Sequence, residues 1–122
     1  MYLHECNLLA KCLNQNPGVS ATVSNGWPSD PGLLKNVDAL VFYSSPAADI
    51  LLNKKNKNQA ESLFERGVGY TAIHWATGAN LENGPRYEQL LGGRFNFKFS
   101  GINVAKQPLV QIGPKHPICN GW

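Results

Sequence analysis

Apolar positions along this chain switch between a spacing near 3.6 residues and a spacing of two, which predicts helices interleaved with strands. Residues 4–14 put Leu8, Leu9, Cys12 and Leu13 on one stripe, predicting a helix with one buried face that Asn16-Pro17-Gly18 ends. Residues 19–24 alternate Val19, Ala21 and Val23 against Ser20, Thr22 and Ser24, predicting a strand with one wet side near a sheet edge. Asn25-Gly26-Trp27-Pro28 reads as a turn, and Asp30-Pro31 as an N-cap with proline at the first helical position. Residues 38–43 are apolar after Asp38 and predict a central strand covered on both faces, with Ser44-Ser45-Pro46 as its exit. Ile50-Leu51-Leu52 suggests one helical turn, and residues 58–66 a helix with Ala60, Leu63 and Phe64 inward. Residues 86–91 read as a short helix closed by Gly92-Gly93. Phe95, Phe97 and Phe99 recur at period two and predict a strand over 94–99. Residues 104–112, broken by Pro108, predict an edge strand or two short pieces. The last residues, His116-Pro117-Ile118 and Gly121-Trp122, read as coil.

The stretch from Gly67 to Gly78 organises the rest. Arg66 and Gly67 suit a helix C-terminus, a cation near the negative dipole end followed by glycine for the left-handed cap. Residues 70–73 are a short β-prone run, and His74 and Trp75 follow where that strand ends. Ligands of open α/β sheets gather outside the carboxyl ends of strands. A histidine there can carry a proton near neutral pH or ligate a metal, or can simply be held by a backbone carbonyl.

The alternation of helix and strand is that of an α/β domain with a parallel sheet, and 122 residues make one domain. The hydrophobic share is 43% and the charged share only 16%, so much of the surface is built from uncharged polar residues and glycine. A net charge of +3, with Lys54-Lys55-Asn56-Lys57 as its one cluster, is too mild and too poor in interleaved aromatics for a nucleic-acid interface. Cys6, Cys12 and Cys119 are odd in number and form no Cys-x-x-Cys, which argues against a disulfide framework and a zinc ribbon. No apolar run approaches the roughly 18 residues of a membrane span. Read from Met1 there is no secretory leader, so the expectation is a cytoplasmic protein; a signal peptide upstream would make it periplasmic or secreted.

The chain opens on a helix, whereas a flavodoxin-like sheet needs a strand before it, placed between 19–24 and 38–43. His4-Glu5 ahead of the first helix, the elbow from Gly67 to His74, Leu91-Gly92-Gly93-Arg94-Phe95, and His116-Pro117-Ile118 with Gly121 three residues on stand in a recognisable order. By these markers the chain resembles the ThuA-like (trehalose-utilisation) domain of the class I glutamine amidotransferase-like superfamily. The resemblance implies a flavodoxin-like three-layer sandwich with a mostly parallel sheet, here without its first strand. The chain then reads as one partial ThuA-like domain over residues 1–122, incomplete at both ends.

The resemblance also implies a link to sugar metabolism, with a disaccharide or keto-sugar derivative as the small-molecule partner. A glutaminase would need a nucleophilic cysteine at the elbow, and none lies near His74 in sequence, so that activity is not expected. His74, Glu5 and His4 are the candidate catalytic residues. Together with His116, these imidazoles and Glu5 could form a metal site, for a divalent ion such as zinc, or an acid/base set acting on a sugar. Alternatively His116 orders its loop and His4 caps its helix. Trp75, Tyr87 and Trp27 are candidates to stack on a sugar ring, with His116 beside them as a substrate-binding candidate. Asp49 and Glu82 are further carboxylates near the proposed cleft. The reading from another class is a non-catalytic sugar-binding or structural module of a larger protein.

Overall fold

The structure is a computed structural model and describes residues 2–108 and 110–119. Four helices, α1 (Leu3–Leu13), α2 (Ala47–Leu51), α3 (Lys57–Glu65) and α4 (Gly84–Leu91), accompany two strands, β1 (Ala39–Phe42) and β2 (Gly69–Ala72). Short 3-10 turns lie at Pro31–Leu34, His74–Thr77 and Pro117–Cys119. Among the described residues no helix is long and apolar enough to cross a membrane.

β1 and β2 form a two-stranded parallel sheet in the register Ala39↔Gly69 to Phe42↔Ala72, so the parallel α/β character is observed. The connection between them carries α2 and α3, as a parallel crossover requires. α3 stops where Arg66 and Gly67 predict. Gly67 takes φ +84° and donates to Phe64 O (2.9 Å), while Val68 N–H donates to Leu63 O (3.0 Å). This Schellman pair satisfies carbonyls the helix end leaves open and aims the chain directly into β2. Asp30 caps the first 3-10 turn, its carboxylate accepting from Gly32 N–H at 2.8 Å.

The core lies on one face of the sheet. Phe42, Tyr70 and Ala72 are half-buried there against Ala47, Ala48, Leu51, Ala60, Ala76 and Tyr87, while the half-buried Leu40 packs against a second cluster of Leu34, Leu63 and Val68. Ala39, Val41, Gly69 and Thr71 point to the other, exposed face. β1 is therefore covered on one face, not on both as its apolar run suggests. α1 also departs from expectation: none of its residues is buried, and Leu8 is 56% exposed. Tyr43 holds it at one end and Ala21 at the other.

Three expected strands do not form. Over residues 19–24 a side chain replaces a neighbouring strand: the Asn14 amide donates to Ala21 O (3.0 Å) and accepts from Ala21 N–H (2.6 Å). Over 94–99 only Phe95 pairs, in a single bridge to Gly78. Asn96 then closes a turn, accepting from Lys98 N–H through Oδ1 (2.9 Å) and from Phe99 and Ser100 N–H through its carbonyl. Local bonds of this kind compete with a ladder. The described part of 104–112 is unpaired, with Val104 and Ile112 more than nine-tenths exposed. The expected coil at Gly121 and Trp122 lies outside the described residues.

Candidate functional site at the carboxyl end of the sheet

Both strands deliver their next residues to one end of the molecule. Tyr43 and Ser44 follow β1; Ile73 and His74 follow β2, with Ile73 N–H still bonded to Phe42 O at 2.9 Å. The start of α1 is held against Tyr43: the Tyr2 ring lies 4.7 Å from the Tyr43 ring, and Cys6 Sγ lies 4.0 Å from Tyr43 O. On its other side Tyr43 meets the His74 imidazole edge-on, centroids 6.2 Å apart. Tyr43 thus joins the first turn of α1 to His74.

His74 is the one described non-glycine residue with positive φ, at 59°. That left-handed geometry turns the chain out of β2 into the 3-10 turn His74–Thr77, where Thr77 Oγ1 donates to His74 O at 2.8 Å. A side-chain-bearing residue held there stores roughly 1–2 kcal/mol of strain. The imidazole is exposed and meets Trp75 at 5.8 Å. Trp75 in turn stacks on Phe97 (6.3 Å, 14° between planes) and meets Phe95 at 5.8 Å. Phe97, 61% exposed, continues the aromatic surface into an open groove of about 720 Å³ shared with Leu81, Glu82, Asn96 and Lys98.

Two buried polar atoms flank the contact between Cys6 and Tyr43. Glu5 Oε2 and Ser44 Oγ have no hydrogen-bond partner. A buried polar group without a partner costs about 1–3 kcal/mol, and more when charged. Such atoms at the exit of a strand mark a place where a ligand can complete the bonding.

Cys6 lies at this same end, against Tyr43 O. Burial, and then the neighbouring Glu5 charge, push its thiol above the ordinary value of 9.0, so it is protonated at neutral pH. A nucleophilic cysteine needs the opposite shift. Cys6→Ser is expected to leave ligand binding within about two-fold of wild type in calorimetry; loss of binding with an unchanged circular dichroism spectrum would give the thiol a role.

The other candidates are placed differently. Tyr87 is fully buried, and its hydroxyl donates to Ala76 O while accepting from Tyr70, so it offers no face to a sugar. Trp27 is a packing residue between the two core clusters, its indole N–H donating to Gln59 Oε1 at 2.7 Å. Asp49 lies in α2 and ties it to the approach to α4, accepting from the Asn80 and Asn83 amides at 2.7 and 3.0 Å. His4 is exposed on α1; His116 is exposed, and its carbonyl accepts from Cys119 N–H at 2.8 Å. Among the described residues no three His, Cys, Asp or Glu side chains come together as a metal-holding group, so the expected set of histidines with Glu5 is not assembled. Sequence reasoning missed Tyr43 and Ser44 as site residues, although their place after an apolar strand was the available signal.

The chain matches no protein-family model, no curated protein and no solved structure.

Proposed function

We propose that this chain is a flavodoxin-like, ThuA-type α/β domain that binds a polyhydroxylated small molecule, a disaccharide or keto-sugar derivative, at the carboxyl end of the sheet. The observation that carries the reading is that Glu5 Oε2 and Ser44 Oγ are buried without a hydrogen-bond partner, on the residues adjoining the contact between Cys6 and Tyr43, whose ring meets His74. A carboxylate accepts and a serine hydroxyl both donates and accepts, which suits neighbouring sugar hydroxyls. Trp75 supplies an apolar face for the ring. His74, whose imidazole is exposed where β2 ends, is the residue to exchange a proton with a bound carbonyl or hydroxyl. No step through a metal enters this proposal.

The reading from another class is a non-catalytic sugar-binding or structural module of a larger protein. Calorimetry with trehalose and a 3-keto-glucoside, followed by an assay for their turnover, separates the two. Binding that falls at least ten-fold in Glu5→Gln, with an unchanged melting temperature, is the expected result; ten-fold corresponds to about 1.4 kcal/mol, near one charge-assisted hydrogen bond. Wild-type protein that binds neither sugar overturns the reading, and binding without turnover selects the non-catalytic module.

A further inference from the structure

The amino end of the sheet carries a pocket of its own. It lies between the 3-10 turn Pro31–Leu34, which leads toward β1, and α3 with its cap, which leads into β2. Its volume is about 440 Å³, within the range of small-molecule sites. Leu34 and Leu63, both buried, supply its apolar side. Lys35, Gln59, Ser62 and Arg66 supply the polar part of the lining. The hydrogen-bonding capacity these residues have left is mostly that of donors. Arg66 Nη2 donates to Leu34 O (3.2 Å) and Val37 O (3.4 Å), which holds the guanidinium across the two segments and leaves Nε and Nη1 to donate elsewhere. Gln59 Oε1 accepts from the Trp27 indole N–H, so the Gln59 amide nitrogen is left as a donor. Among the described residues no carboxylate forms an ion pair with Lys35 or Arg66. Their acidic neighbours in sequence, Asp30 and Glu65, do not line the pocket. Two cations and an amide donor beside an apolar surface, with no acid in the lining to neutralise them, complement an anion that has an apolar body.

We propose that this pocket binds a small carboxylic acid with an aromatic or short aliphatic body. The carboxylate lies among Lys35, Arg66 and the Gln59 amide, and the body lies on Leu34 and Leu63. The guanidinium is already held by two backbone carbonyls, so little of its rotamer freedom remains to be lost on binding. A carboxylate with an apolar body suits the pocket better than inorganic phosphate, because a wholly polar ion buries nothing against the leucines. The pocket lies at the end of the sheet opposite His74, so the inference is independent of the sugar-binding proposal.

The test is a titration of the ¹⁵N-labelled chain with sodium benzoate, benzyl alcohol and inorganic phosphate in parallel. It is followed at the Trp27 indole N–H, whose acceptor Gln59 lines the pocket. Benzoate is expected to shift this resonance to saturation with a Kd of about 1 mM or lower. It is expected to bind at least ten-fold more tightly than the neutral alcohol or phosphate. Lys35→Glu, at an exposed residue, is expected to weaken benzoate at least five-fold with an unchanged melting temperature. Benzoate that leaves the Trp27 resonance unmoved overturns the proposal. So does benzyl alcohol bound as tightly as benzoate, which would make the pocket merely apolar, or phosphate bound as tightly, which would leave the leucines without a part. Benzoate affinity unchanged in Lys35→Glu overturns it as well.

Discussion

Tyr87→Phe is expected to lower the unfolding free energy by about 2 kcal/mol, and Tyr70→Phe by about 1 kcal/mol, because the two hydroxyls stand at different places in one chain of bonds. Tyr70 donates to Tyr87, and Tyr87 donates to Ala76 O inside the turn that carries His74. Removing the Tyr87 hydroxyl leaves a buried carbonyl without its donor and the Tyr70 hydroxyl without its acceptor. Removing the Tyr70 hydroxyl leaves the bond from Tyr87 to Ala76 in place. Tyr87→Ala adds a cavity at a residue with no exposed surface and is expected to cost about 3–5 kcal/mol. Urea unfolding of the variants measures these differences; equal costs for the two phenylalanine substitutions would show that the hydroxyls do not act in series. Burial pushes both phenols above their ordinary value of 10.0, with Tyr70 raised further by its bond to Tyr87. A folded value above the unfolded one means that this contribution is fully present below pH 10.0 and falls as pH rises beyond it.

His74→Ala is expected to weaken sugar binding at least ten-fold while changing stability by less than about 1 kcal/mol, since the ring is exposed and its packing is confined to edge-on aromatic contacts. The backbone supplies a second, independent readout. At φ 59° an alanine keeps the left-handed strain and a glycine does not. His74→Gly is therefore expected to be more stable than His74→Ala by about 1 kcal/mol, although it binds no better. Thermal melting and calorimetry on the two variants give both quantities. If His74→Ala binds as wild type and melts far lower, the histidine is structural.

What could be read in the sequence follows the range of the forces involved. The α3 stop at Gly67, the Asp30 cap and the apolar core of β1 are local signals, and each is found within a residue or two of its expected place. The three absent strands fail for a non-local reason. Alternation at 19–24 and 94–99 says only that a strand would suit those residues; a ladder needs a neighbour, and the Asn14 and Asn96 side chains satisfy the backbone instead. Tyr87 illustrates the same limit at the site. Its ring could face solvent or core, and the partners that decide, Tyr70 and Ala76, are distant in sequence or belong to a turn that the histidine's backbone creates. His74 and Glu5 were legible as chemistry-bearing residues flanking apolar segments. The link from Tyr2 and Cys6 through Tyr43 to His74 was not, because it depends on how the start of α1 lies across the strand exit.

The most direct measurement of the central proposal is a titration of ¹⁵N-labelled protein with the 3-keto-glucoside, followed by backbone and histidine ring resonances. Shifts are expected at Glu5, Tyr43, Ser44, His74 and Trp75 and nowhere else, saturating together, with affinity reduced at least ten-fold in Glu5→Gln. Shifts that leave these residues untouched, or that persist unchanged in Glu5→Gln, would contradict it.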